Sequence, residues 1–376
     1  ANLGFATYDP VSGVRMLSSG MLTTSFASAT TTSNVAPLVN DTVAASRTVH
    51  SLSLTRAAGL TVNFTGPTDT LTLASGGLLR GMQGGGTLGS VTSPGRITSG
   101  GSELFLTSGG SLLVYSQLTG NAVNLVLSSA GTSASTASVT LMGGGMSLGS
   151  PVITGGTLMT LTTTTGLSPG MTVSGPYIPD GTTIASVLDG SRLVLSQSAL
   201  VNSSTVLLSS VQATSGSLVL TVPSTVGLAP GMLLTGDAVP ANTTITYVMS
   251  DTTLLISGGA SLTATGTSMV ASAVGLAGVW TAGGGNTFGG TAYSNGLLVG
   301  LGAPSSAIPG NLIISGGNNA GLDALNPLTS RVWQMRSNQI ADTATVTVRG
   351  GGGWDLTGFR ERIANLILEG QGGGLG

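Results

Sequence analysis

The sequence contains no cysteine and no lysine. Without cysteine there is neither a disulfide nor thiol chemistry. Without lysine there is no Lys–Asn isopeptide crosslink, so covalent locking of that kind is excluded. Charged residues are 6% of the chain, against about 25% in an ordinary globular protein. The formal net charge of −2 creates no field to gather nucleic acid or an anionic membrane. Aromatic residues are 4%, too few for a platform that stacks bases. No window of about 18 residues is continuously apolar, so a membrane-spanning helix is not expected. The strands are too short and the aromatics too few for a transmembrane barrel. No secretory apolar segment stands at Ala1. One histidine and no cysteine leave nothing from which to build a zinc site.

What remains is rich in Gly, Ser, Thr, Leu and Val, with 61 glycines and 40% hydrophobic residues, a composition that argues against disorder. Apolar and polar residues alternate in Val49–Leu54, Leu60–Phe64 and Leu71–Leu73, the period of half-buried strands. Further strands are expected at Glu103–Thr107, Leu112–Tyr115, Val123–Ser128 and Ala137–Leu141. Gly-containing turns separate them, and a Ser-Gly-Gly triplet recurs at Ser75, Ser99, Ser108, Ser257 and Ser315. Helical patterning is nearly absent; the best helical stretch is Phe359–Leu366, and its flanks read better as strands. Strands this short cannot each bury a core in a hairpin, but stacked as coils of a solenoid they can. The expected fold is therefore all-β: a right-handed parallel β-helix (β-solenoid), interrupted by two small β modules.

The interruption is a tandem duplication. Gly166-Leu-Ser-Pro-Gly-Met-Thr-Val-Ser-Gly-Pro-Tyr-Ile-Pro-Asp-Gly-Thr-Thr-Ile184 is followed 61 residues later by Gly227-Leu-Ala-Pro-Gly-Met-Leu-Leu-Thr-Gly-Asp-Ala-Val-Pro-Ala-Asn-Thr-Thr-Ile245, with ten of nineteen positions identical and no gap. Such a period marks two copies of one supersecondary unit, each the size of a small barrel or compact sandwich. Pro169 and Pro230 fix φ in a turn, Gly170 and Gly231 follow as turn residues, and Met171 and Met232 are expected to plug each core. The expected domains are residues 1–152 and 273–376, the two solenoid parts, with the modules at 153–213 and 214–272.

Residues that could carry chemistry are sparse. His50 has no partner in sequence that would make it a base. The central acidic residues Glu103, Asp180, Asp189, Asp237, Asp251 and Asp323 are widely spread, and no Gly-Gly-x-Gly-x-Asp calcium repeat occurs. The Gly runs at 84–86, 143–145, 283–285 and 350–353 are not followed by the lysine and helix of a phosphate loop; they read as solenoid corners or loops. The densest charge cluster, Arg360, Glu361 and Arg362 with Asp355, reads as a salt-bridged cap or subunit contact. The sequons at Asn40, Asn63, Asn202 and Asn242 are expected by chance in a Ser/Thr-rich chain. Tyr177 of the first copy becomes Ala238 in the second, which argues against a shared aromatic glycan site. No catalytic, cofactor-binding or metal-binding residue is expected, no cofactor, and no enzymatic activity.

Two resemblances add to this reading. Asn286-Thr-Phe-Gly-Gly-Thr-Ala-Tyr-Ser-Asn-Gly-Leu-Leu-Val-Gly300 resembles the autotransporter-associated β-strand repeat, and Ile340–Val348, Trp354–Phe359 and Ile363–Leu366 look like the rung that follows it in such proteins. The Thr48–Leu79 segment is similar to the opening of large exported bacterial proteins of this type. The resemblance implies a right-handed parallel β-helix outside the cell, although the translocator barrel of an autotransporter is not in this sequence. The tandem unit resembles a short β module of phage structural and bacterial surface proteins; Asn242 replaces that family's Gly, a change that left-handed φ tolerates. The function expected is a non-enzymatic structural subunit of an extracellular or cell-surface fibre. Both ends are expected to be uncapped, the subunits to join head to tail, and the modules to project from the shaft. The alternative is an adhesin, binding cell-surface glycans or other cells through the tandem modules.

Overall fold

In the computed structural model the described residues are 4–9, 13–82, 84–130, 137–149, 151–153, 156–175, 178–179, 181–199, 205–225, 228, 231–272, 281–316, 330–356 and 358–370. They form an all-β protein with long parallel sheets. The chain divides into two compact units, one made of Ala1–Met146 with Gly283–Gly376 and the other of Ser147–Ala282.

The first unit winds. Its strands visit three parallel sheets in turn: Ser51–Leu54, Leu60–Phe64 and Thr70–Leu73 make one circuit, and Gly77–Arg80, Gly85–Leu88 and Arg96–Ser99 make the next. Each strand pairs in parallel with its counterpart one circuit later, as in Leu52↔Leu78, Val62↔Leu88 and Leu71↔Ile97. Among the described residues the sheets contain ten, eight and five strands. This is the winding of a parallel β-solenoid. Alternation in each strand sends every second side chain inward, so like residues stack. Leu52, Leu78, Leu106 and Leu127 form one such column, each at most 1% exposed. Burying one such leucine stabilises the fold by about 1.5–3 kcal/mol.

Where the chain turns a corner, steric room decides the residue. Gly76 has φ +70°, and a Cβ there would lie 2.1 Å from the Glu103 carbonyl oxygen. The Ser-Gly-Gly triplets at Ser75 and Ser99 occupy the same corner in successive circuits, each serine Oγ accepting from the N–H two residues on. The alternating run Val49–Leu54 is not one strand: Arg47–Val49 lies in the third sheet and Ser51–Leu54 in the first, with exposed His50 at the bend. Alternation continues across such a corner because both sheets face the same interior. Among the described residues one fully buried side chain is charged. Arg80 is 1% exposed, and burial lowers its pKa. Its guanidinium donates to the Leu54 and Gly85 carbonyls at 2.6 and 2.9 Å. Gly86 leaves room for it, since a Cβ there would lie 2.7 Å from Arg80 Cδ.

The second unit interrupts a circuit without shifting it. Before it, Gln117–Gly120, Asn124–Ser129 and Ser138–Leu141 lie in the third, first and second sheets. After it, Thr287–Phe288, Ala292–Asn295 and Leu298–Leu301 pair with those same three strands, as Gly120↔Phe288, Leu125↔Ala292 and Leu141↔Leu301.

The two ends of the first unit differ. At the start, a 3-10 turn, Phe26–Ser28, puts the Phe26 ring into the core at 0% exposure. Asp41 Oδ2 accepts from Phe26 N at 2.6 Å, Ser25 Oγ accepts from Ala27 N, and Arg47 donates to the Phe26 carbonyl. One aromatic residue is thus held by one ion of each sign, while Leu22–Thr23, Asp41–Val43 and Arg47–Val49 are the outermost strands of the three sheets among the described residues. An antiparallel hairpin, Ala6–Asp9 with Gly13–Met16, precedes it. The adjoining Phe5 ring lies where a Cβ on Gly77 would meet it at 2.9 Å, on the outward side of the first sheet. At the other end, Asn365–Glu369 pairs only with Thr345–Arg349 among the described residues. Leu366 and Leu368 are 52% and 72% exposed. No helix forms over Phe359–Leu366; strand pairing with the preceding circuit wins over the weak helical pattern.

The second unit is antiparallel, with two hydrophobic clusters. Met159, Val173, Ile184 and Leu193 fill one, and Leu148 and Ala282, near the two ends of the unit, are buried in it. Leu220, Met232, Leu234, Ile245 and Leu254 fill the other. The copies repeat one another bond for bond. Gly170 N donates to Ile184 O and Gly231 N to Ile245 O; Val173 N donates to Thr182 O and Leu234 N to Thr243 O. Buried Thr182 and Thr243 donate through Oγ1 to Pro179 O and Pro240 O. Gly181 and Asn242, equivalent by the offset, both have positive φ, +75° and +63°. The copies differ in one strand. Thr205–Ala213 pairs with Ala264–Ser272 and with Val219–Thr221, and its Leu208, Val211 and Ala213 belong to the second cluster.

Candidate functional site

Past the insertion the third face of the solenoid changes character. Among the described residues its regular strands end at Thr287–Phe288, and carboxamide and carboxylate side chains join the circuits. Gln117 Nε2 donates to Gly285 O at 2.5 Å. Asn286, 3% exposed, accepts from Leu118 N and donates to Ala307 O, both at 2.8 Å, linking the circuits on either side of it. Gln339, 1% exposed, donates to Ala303 O at 3.1 Å and Ser305 O at 2.9 Å. Glu361 Oε2 accepts from Gln339 N at 2.6 Å, Ile340 N at 3.1 Å and the Gln334 side chain. Burial pushes the Glu361 carboxyl up to about 7, against the downward pull of these donated bonds.

The residues of the Asn286–Gly300 motif each have a physical reason here. Asn286 is the buried link just described. Phe288 is 1% exposed in the core. A Cβ on Gly289 would lie 1.9 Å from the Asn121 carbonyl oxygen, and one on Gly290 2.4 Å from Asn124 Oδ1. That Oδ1 accepts from Thr291 N at 2.9 Å. The same device, an asparagine accepting from the next circuit's N–H, recurs at Asn40 with Thr61 and at Asn311 with Thr345.

The charge cluster expected at residues 355–362 makes contacts with the preceding circuit. Asp355 pairs with Arg331, Arg362 with Asp342 at 3.7 Å on the surface, and Glu361 faces the backbone of the preceding circuit. Exposed pairs of this kind contribute little. Asp189 pairs with Arg192 at 2.6 Å in a turn, and the bond from Arg192, then that from Ser191 N, holds its carboxyl down to about 2. Asp251 also lies in a turn, its carbonyl accepting from Thr225 N. His50 is exposed, and its carbonyl accepts from Ser75 N and Oγ. Of the Gly runs, Gly84, Gly143, Gly144, Gly285 and Gly351 have positive φ, as corner residues should. Met232 is fully buried in its cluster, and Met171 packs against the other. Ala238 is fully buried. Tyr177, Asp180, Asn202, Asp323, Gly227 and Pro230 lie outside the described residues. Among the described residues no three His, Asp or Glu side chains gather as a metal site would need, and no helix is long and apolar enough to cross a membrane.

Sequence reasoning missed Asn124 and Gln339, and read Glu361 only as part of a charge cluster. Their partners are a circuit away and carry no local pattern. Asn286 had a signal, since it opens the motif. No family model, no curated protein and no solved structure matches this chain.

Proposed function

We propose that this chain is a non-enzymatic structural shaft: a right-handed parallel β-helix of an extracellular or cell-surface assembly that carries the duplicated segment as a pair of small β modules. One observation supports it above others. The inward columns of the three sheets run in constant register across the insertion, through Gly120↔Phe288, Leu125↔Ala292 and Leu141↔Leu301. A fold that keeps its winding through such an interruption is suited to carrying load along its axis. The scarcity of charge, 6% of residues, fits lateral faces covered by Ser and Thr columns such as Thr107 with Ser128 at 2.9 Å. The Asn286–Gly300 motif supports kinship with exported bacterial solenoids. Electron microscopy of native material tests the reading. Rods or fibres are the expected outcome; compact particles with no elongated axis overturn it. The native form should also resist trypsin for hours, and rapid cleavage within the sheets counts against the shaft.

A further inference from the structure

The carboxylate of Glu361 is the meeting point of a buried polar cluster whose hydrogen bonds do not close. Its Oε2 accepts from Gln339 N, Ile340 N and Gln334 Nε2, all neutral donors. Gln339 Nε2 is committed to the Ala303, Ser305 and Ser337 carbonyls at 3.1, 2.9 and 3.2 Å. Both carboxamide nitrogens are thus turned to oxygens, and neither amide can be reversed without setting oxygen against oxygen. Three atoms are left over. Glu361 Oε1, Gln334 Oε1 and Gln339 Oε1 are buried and have no hydrogen-bond partner among the described residues. Gln334 and Gln339 are 4% and 1% exposed. We propose that these three oxygens are ligands of a calcium ion, bound where the last circuits of the solenoid join.

The chemistry selects the ion. All three leftover atoms are acceptors, so whatever satisfies them brings positive charge or donor protons. A water brings two protons to three acceptors and leaves the buried charge of Glu361 uncompensated, which is costly. A proton on Glu361 cancels the charge but supplies a single donor. A divalent cation cancels the charge and takes all three oxygens at once. Calcium accepts carboxylate and carboxamide oxygens together in irregular sets completed by water, whereas magnesium demands near-ideal octahedral geometry and zinc prefers nitrogen and sulfur. The site differs from an acidic cluster: one carboxylate is joined by two neutral amides, so no run of Asp or Glu marks it in the sequence. A single carboxylate points to weak binding, on the order of 10⁻⁴–10⁻³ M. Burial pushes the Glu361 carboxyl up to about 7, so a proton and calcium compete for it near neutral pH. The charged groups nearest in sequence are Arg336, Arg360 and Arg362, the last turned to Asp342 at the surface.

Thermal melting of the full chain at pH 8 tests this. Calcium chloride at ten times the dissociation constant should raise the solenoid transition by roughly 3–6 °C, and excess chelator should reverse the shift. Titration calorimetry should count one ion per chain. Glu361→Gln should lose the response. Gln334→Met, which keeps the length and removes the oxygen, should weaken binding severalfold while Glu361 still titrates. Glu103→Gln, which alters an exposed carboxylate, is the control and should respond as the parent does. At pH 5, where Glu361 holds its proton, the calcium shift should vanish. No response at pH 8 overturns the proposal. So does an undiminished response in Glu361→Gln, or an equal response to magnesium chloride or to sodium chloride at the same ionic strength. If Glu361→Gln does not fold, an undiminished shift in Gln334→Met or at pH 5 overturns it instead. Each of these failures leaves the shaft reading standing, since that reading is decided by the micrographs.

Discussion

The winding unit and the inserted unit use the same amino acids to different ends. In the solenoid each circuit is completed by its neighbours, so a residue such as Leu106 packs in a column between Leu78 and Leu127. In the insertion two separate clusters are each enclosed by a few antiparallel strands, and Met232 belongs to one of them alone. The corners differ as well. The solenoid secures its turns by bonds between circuits, from Asn40, Asn124 and Asn311. The two copies in the insertion secure theirs internally, through Thr182 to Pro179 and Thr243 to Pro240. Damage in the first unit should therefore spread along the axis, and damage in the second should stay within one copy.

The largest expected effect comes from Leu106→Ala. Removing a buried leucine costs about 2–5 kcal/mol, and calorimetry should show the solenoid transition falling while the insertion's stays in place. Met232→Ala should do the reverse. A single shared transition that shifts equally in both variants breaks the comparison.

Asn286→Ala comes next. It leaves Leu118 N and Ala307 O without a buried partner, at about 1–3 kcal/mol for each such group. Amide exchange should quicken first at Leu118 and Ile308, on the circuits either side. Asn286→Asp restores only the acceptor, so Leu118 should recover protection and the strand after Ala307 should not. Uniform loss across the unit would mean that Asn286 is not the local link.

A smaller effect is the pH response of the last circuits. The folded Glu361 carboxyl, pushed by burial to about 7 from an ordinary value near 4.5, holds its proton more tightly than the unfolded chain does. The contribution is present below about 4.5 and is lost as pH rises through about 7. The melting temperature of the solenoid should fall over that window, and Glu361→Gln should flatten the profile. Gln334, Gln339 and Ile340 face this carboxyl directly. Arg360 and Arg362 flank it in sequence, and Arg362 is paired with Asp342. An unchanged slope in the Gln variant would assign the response elsewhere.

Much of this architecture could be read from the chain. The alternating runs at Leu60–Phe64 and Thr70–Leu73 are strands because period-two burial leaves a mark within five residues. The 61-residue offset gave the equivalence of Gly181 and Asn242, and their shared positive φ follows from it. What could not be read is whatever depends on the neighbouring circuit. Val49–Leu54 alternates smoothly through a corner, so the bend at His50 has no signature. Phe26 stands among small polar residues, and nothing near it in sequence says that it closes a core. Glu361 lies between two arginines, which invites an ion-pair reading. Its bonds go instead to backbone amides that the winding brings beneath it. The strand Thr205–Ala213 falls at the end of the first copy by the offset, but it pairs with the second copy's sheet, because an unpaired long strand will take the nearest free edge.

The smallest effect should follow from the largest cut. A Cβ on Gly283 would lie 3.2 Å from Gly145 Cα and 3.0 Å from the Gly144 carbonyl oxygen, so the chain leaves the solenoid and returns to it at nearly one point. The pairs Gly120↔Phe288 and Leu125↔Ala292 are made entirely within the winding unit. Removing Ser147–Ala282 and joining Met146 to Gly283 through two glycines should therefore leave every column intact. The shortened chain should melt within ~2–4 °C of the solenoid transition in the full protein, the shift that about 1 kcal/mol produces in a domain of this size. Failure to fold would mean that the insertion holds the circuits on either side of it together, and that the two units are not separable in energy as they are in packing.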